Sequence, residues 1–115
     1  MFTHETPAVF YRMPGNGREP AREFIAALLP DARRAVKKAV RVLQQRWPVI
    51  GMPRVRKMER DLWELRCRIA GGYARVFFTF AEGTLVLLHG FVKKSDDTPP
   101  PDLAVARRRM KDVQE

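Results

Sequence analysis

The chain is poor in the residues on which many enzyme chemistries and most extracellular folds depend. It holds a single cysteine, Cys67, so no intrachain disulfide framework can form, and that usage fits a reducing compartment. Its two histidines, His4 and His89, stand far apart, too few and too separate for a structural zinc site, so neither a metal nor a cofactor is expected. Ser95 is the only serine and has no G-x-S-x-G surroundings, which argues against a serine hydrolase. No phosphate-binding loop or dinucleotide fingerprint occurs; Gly15-Asn16-Gly17 is too short for one and reads as a turn. The first residues, Met1 to Glu5, lack the basic and apolar segments of a secretory leader. The apolar run Leu85–Leu88 is far too short to span a bilayer. A cytoplasmic protein without a membrane partner is expected.

What is present is charge of one sign. Lys and Arg number 22 against 13 Asp and Glu, giving +9, while 45% of the 115 residues are apolar. That length suits one domain, residues 1–115, with enough apolar material for a core. A balance this basic points to an anionic partner.

The charge is also unevenly placed. Residues 31–68 hold 12 basic and 4 acidic residues, and the rest of the chain is nearly neutral. The excess therefore belongs to one stretch, which predicts a patch.

Periodicity supplies the fold. Ala8–Tyr11 is a short β-prone run, closed by the turn residues Pro14-Gly15-Asn16-Gly17. From Pro20, the apolar residues Ala21, Phe24, Ile25, Leu28 and Leu29 recur at helical spacing; Pro30 is read as the end of that helix and Asp31 as the cap of the next. A second helix over about 31–46 carries an apolar stripe (Ala32, Ala35, Val36, Ala39, Val40, Leu43) beside a crowd of Arg and Lys. After a loop through Gly51-Met52-Pro53 the period becomes two, with strands at Trp63–Ile69, Tyr73–Phe80 and Leu85–Val92, and Thr98 with the prolines after it opens a final helix. The order β-α-α-β-β-β-α predicts an α+β domain: two helices on one face of a twisted antiparallel sheet, and a last helix over an edge.

In this reading Trp63, Leu65, Cys67 and Ile69 face the core, with Cys67 a small core residue. Arg66, Arg68 and Arg75 fall on the reverse of adjacent strands, where they must meet water or an anion. A phosphate would relieve their mutual repulsion through bidentate, charge-assisted bonds.

Leu62-Trp63-Glu64-Leu65-Arg66, then Arg75-Val76-Phe77-Phe78, then His89-Gly90-Phe91-Val92-Lys93-Lys94 followed by Thr98-Pro99 and Ala106, occur in an ordered set. In that set the chain resembles the RelE/HigB toxins, most closely their phage-derived branch, over about residues 8–113. The resemblance implies a RelE-like fold and the toxin of a type II toxin–antitoxin system. It implies metal-independent cleavage of mRNA on the ribosome, and inhibition by a cognate antitoxin, commonly a helix-turn-helix HigA-like protein. Arg75 matches the family's sheet arginine, expected to stabilise the phosphate. Arg66 and Arg68, with Arg54, Arg56 and Lys57, are expected to bind RNA.

Lys93 and Lys94 are candidates for proton transfer, since a lysine desolvated among other cations can exchange protons near neutrality. His89 is a further candidate, because imidazole titrates in that range; its strand parity with Leu85, Leu87 and Phe91 equally suits a positional role. Members of the family often carry a Tyr or His near the C-terminus, and this chain has neither after Lys94. Two other readings stand beside the nuclease. One is a ParE-like gyrase inhibitor of the same fold, which would not need phosphate ligands on the sheet; the other is a non-catalytic RNA-binding module.

Overall fold

The computed structural model describes residues 5–94 and 100–115. β1 (Ala8–Phe10) leads into α1 (Pro20–Ala27) and α2 (Pro30–Arg46). Then come β2 (Val55–Glu59), β3 (Leu62–Ile69), β4 (Gly72–Ala81) and β5 (Thr84–Lys93), and α3 (Pro100–Gln114) ends the fold. The strands form one sheet in the order β1-β5-β4-β3-β2, with β1 parallel to β5 and the other neighbours antiparallel. The α+β class and the element order agree with the periodicity. Among the described residues no helix is long and apolar enough to cross a membrane.

Two cores lie on opposite faces of the sheet. On the first face, Ala21 and Ile25 of α1 and Val36 and Leu43 of α2 pack on Leu65, Val76, Phe78, Leu85 and Leu87. Trp47, just past α2, closes one end edge-on to Trp63 at 4.9 Å between ring centroids. On the second face, Ala106 and Met110 of α3 pack on Leu62, Phe77, Val86 and Leu88. The last helix therefore covers part of the sheet's reverse face rather than an edge. Its stripe of Leu103, Ala106, Met110 and Val113 needed an apolar partner surface, and Phe77 and Leu88 provide it.

Two other expectations change. Val55–Glu59 is a strand, not loop; as an outer strand it buries only Val55 fully, so Arg56 and Lys57 erase the alternation that marks strands in sequence. Pro30 opens α2 instead of ending α1, because a proline's fixed φ and absent N–H suit a helix's first turn. Asp31 thus sits inside that turn, where the helix dipole favours an acid, and supplies no side-chain cap. The expected helix start at Thr98-Pro99 lies outside the described residues.

A bulge in β5 does most to position the site. Phe77 pairs with His89 and Phe78 with Leu87, leaving Leu88 as the extra residue. Leu85 and Leu87 face the first core; beyond Leu88 the parity inverts, and His89, Phe91 and Lys93 join the face of Phe77, Arg75 and Tyr73. His89 therefore does not share a face with Leu85 and Leu87, as simple alternation suggested.

The inversion turns Gly90 toward α1, where a Cβ would lie 2.2 Å from the ring of Phe24. Gly90→Ala is expected to cost about 1–3 kcal/mol through this overlap. Urea unfolding checks it, and adding Phe24→Leu should recover part of the loss by making room.

Candidate functional site

The part of the second face that α3 leaves uncovered is where the sequence-predicted site residues gather. Strand register lays them out in rows. Arg56, Glu64, Phe77 and His89 stand side by side across β2–β5; the next row holds Arg66, Arg75 and Phe91, and the third Arg68, Tyr73 and Lys93. Residues two apart on a strand share a face about 7 Å apart, so the rows form a continuous surface.

Its centre is a buried ion cluster. Glu64 is fully buried, with one carboxylate oxygen 3.7 Å from Nη1 of Arg75 and the other 3.8 Å from Nε of Arg66. Arg75 is also fully buried. Arg66 keeps 11% of its side chain exposed and lies over the Tyr73 ring, 5.4 Å from its centroid. Arg75 was expected to reach solvent or an anion; instead its side chain is enclosed, and its charge meets a carboxylate of the same sheet. The Glu64 position explains the change, for a carboxylate in the adjacent row draws the guanidinium in and offsets part of its desolvation. The outward-facing cations are Arg66 in part, Arg68 and Lys93.

His89 sits at the border between this surface and α3. Its Nε2 lies 2.6 Å from Oδ1 of Asp102 and its Nδ1 lies 3.3 Å from Nη1 of Arg109, which also donates to the Leu88 carbonyl at 2.9 Å. Since arginine only donates, these contacts fit a neutral imidazole with Nε2–H donated to Asp102 and the Nδ1 lone pair turned to Arg109. The ring packs parallel to Phe77 and beside Phe91. Partial burial pulls the pKa of Arg109 down, with a further push from Arg108, while Tyr11 opposes both.

The remaining candidates divide. Lys93 is half-buried at the end of β5, and Lys94, just beyond it, is exposed. Arg56 lies on the site's face, but Lys57, one residue on, lies on the other. Arg54 precedes β2 and lines a trough beside α2. The basic stretch 31–68 is not one patch: the exposed cations of α2, among them Arg34, Lys37, Lys38 and Arg41, stand on the α2 side of the sheet, opposite Arg66 and Arg75.

Glu64, Asp102 and Arg109 were not singled out from sequence. Glu64 alternates with Leu65 as an outward residue would. Asp102 and Arg109 meet His89 only because α3 folds back over β5.

Residues 23–111 match the family model described as phage derived protein Gp49-like (DUF891). No curated protein matches the chain.

If Arg75 compensates a buried carboxylate, Arg75→Ala should destabilise by about 3–5 kcal/mol, against near-neutrality for a surface arginine. Because the penalty comes from Glu64 left in low dielectric, the double variant Glu64→Gln with Arg75→Met should regain a large part of it. Thermal and urea unfolding of the set tests this, and equal losses in the single and double variants would contradict it.

Proposed function

Because the chain belongs to the family of Gp49-like phage-derived proteins, we propose that it is a toxin of the RelE/HigB kind, an endoribonuclease that cuts mRNA on the ribosome and is silenced by a cognate antitoxin. The observation that carries this reading is the second sheet face. There Arg66, Arg68 and Lys93 turn toward solvent over a buried Glu64–Arg75 pair, and an imidazole held by Asp102 borders them.

The chemistry follows from these groups. The RNA 2′-oxygen attacks the adjacent phosphorus, the bond from phosphorus to O5′ breaks, and a 2′,3′-cyclic phosphate and a 5′-hydroxyl result. Arg66 and Arg68 bind the phosphate and offset the charge that builds on its non-bridging oxygens. Arg75 does not touch the phosphate; as a positioning residue it shares Glu64 with Arg66 and so limits where the Arg66 guanidinium can lie. Lys93 gives a proton to the departing O5′. His89 takes the proton of the 2′-hydroxyl on Nδ1, exchanging its 3.3 Å contact with Arg109 for the substrate, and Asp102 stabilises the imidazolium that forms. His89 and Lys93 share a face four residues apart, about 13 Å along the strand, so both side chains must lean inward over Phe91 to flank one phosphodiester. The antitoxin and the ribosome are the macromolecular partners in this reading. The gyrase-inhibitor alternative leaves the cationic face and the His89–Asp102 pair without a task.

Expression of the chain alone in a bacterium should arrest growth, with discrete cuts in mRNA by primer extension. Arg66→Ala should lower cleavage about 100- to 1000-fold, the loss typical of one donor to a developing oxyanion. Arg68→Ala should mainly weaken RNA binding and lower its salt slope by about one phosphate contact. Arg68→Ala should keep a normal melting curve, while Arg66→Ala, which takes one of two cations from buried Glu64, should lower stability and is assayed where it remains folded. Intact mRNA at confirmed folded expression would overturn the nuclease reading, and DNA damage signalling alongside intact mRNA would favour gyrase inhibition.

A further inference from the structure

The sheet has an unfinished edge. β3 runs from Leu62 to Ile69 and pairs with β4 from Trp63 to Ile69, but β2 covers its other side only from Leu62 to Leu65. One further bond, from the Arg66 amide to the Arg54 carbonyl at 2.8 Å, ends that pairing. Beyond it, among the described residues, no strand lies along the outer side of Cys67–Ile69. The alternation set by that bond turns the N–H and C=O of Arg68 outward.

Beside this edge runs a trough between α2 and β3. Two cavities of about 470 and 860 Å³ share Ala35 and Arg68 and together extend from Leu28 to Pro53. Ala35, Ala39 and Val42 of α2 form one wall, and Leu65 and Cys67 lie in its floor. Lys38, Arg54 and Arg68 stand at its rim, with Arg54 and Arg68 exposed. The outer edges of the sheet differ from this one. β2 carries exposed Arg56 and Lys57 and a bulge before Glu59, and β1 is three residues long; charge, bulges and shortness are the usual ways of blunting an edge.

We propose that the outer side of Cys67–Ile69 accepts an extended segment of an acidic partner protein by strand addition, the segment alternating apolar and acidic side chains. The alternation follows from the register. A strand laid beside β3 points every second side chain toward α2, where Ala35, Ala39 and Val42 offer apolar surface, and the intervening ones toward the face of Arg66 and Arg68. Carboxylates there meet the two arginines directly. The rim has the charge that complements such a partner, and the geometry fits a strand better than a helix. A helix could fill the trough but would leave the outward amide of Arg68 unanswered and its carbonyl with only the long 3.8 Å contact from the Cys67 thiol.

The partner's role as an inhibitor rests on the nuclease reading; the docking mode does not. Carboxylates beside Arg66 and Arg68 would occupy the groups that hold RNA phosphates, so strand addition at the edge would block the face without covering His89.

The test uses the full chain and a nine-residue peptide alternating glutamate and valine, capped at both ends, without RNA. Fluorescence anisotropy should show binding that weakens with salt and falls by about tenfold or more in Arg68→Glu. Alkylation of Cys67, the only thiol, should slow when the peptide binds. N-methylation of one alternate set of peptide amides should abolish binding while methylation of the other set leaves it intact. Loss at the glutamate positions marks an antiparallel strand and loss at the valines a parallel one.

Three results would overturn the proposal: no binding, indifference to methylation at both sets, or tighter binding of an equal-composition peptide with valines at helical spacing. Peptide binding without mRNA cleavage would leave the edge standing and remove only the inhibitor role. Cleavage without peptide binding would do the reverse.

Discussion

A buried carboxylate governs the arrangement of this protein's candidate site. Glu64 lies in the interior of the sheet with a guanidinium on either side, Arg75 at 3.7 Å and Arg66 at 3.8 Å. Two arginines placed side by side on adjacent strands would repel, and one enclosed alone would suffer a large desolvation cost. The carboxylate resolves both problems and divides the labour. Arg75 becomes interior structure, and Arg66 keeps only its outer part in solvent, braced by the Tyr73 ring. The surface that RNA would meet is thus presented from below by charges that RNA does not touch.

The second constraint is the bulge at Leu88. Without it, β5 would carry His89 and Phe91 into the helix-covered core with Leu85 and Leu87, and Gly90 would face the other way. One extra residue sends the imidazole to the face of the candidate site and gives Phe24 of α1 a place against Gly90. The same inversion brings His89 under α3, so Asp102 and Arg109 can engage both ring nitrogens. Packing of α3 and the setting of the imidazole are one event.

Much of this was legible in the sequence because it is periodic. The strands around Trp63–Ile69 and Tyr73–Phe80 alternate cleanly, and α2 repeats its apolar stripe without interruption. What escaped was what periodicity does not encode. β2 contributes one fully buried side chain, so its signal is lost among charges. A bulge breaks alternation without any local marker. The burial of Arg75 depends on which residue stands in the next row, and Glu64 gave no sign of being interior. The basic stretch 31–68 read as a single patch because linear counting cannot separate a helix on one face of a sheet from a strand that turns its arginines to the other. Arg66, Arg68 and Arg75 were correctly gathered on neighbouring strands; the face of His89, the place of Lys93 inside β5, and the depth and partners of all five required the fold.

The central claim is that Arg75 is internal scaffolding while Arg66 and Arg68 are the groups that meet RNA. Arginine Nε–H resonances observed by NMR during titration with a short RNA report on it most directly. Arg75 should give a signal protected from solvent exchange before RNA is added, and it should persist in the complex. The Arg66 and Arg68 signals should shift as RNA binds. Rapid exchange at Arg75 in the unbound protein, or shifts confined to Arg33, Arg34 and Arg41 of α2, would contradict this division and move the RNA-binding surface to the other side of the sheet.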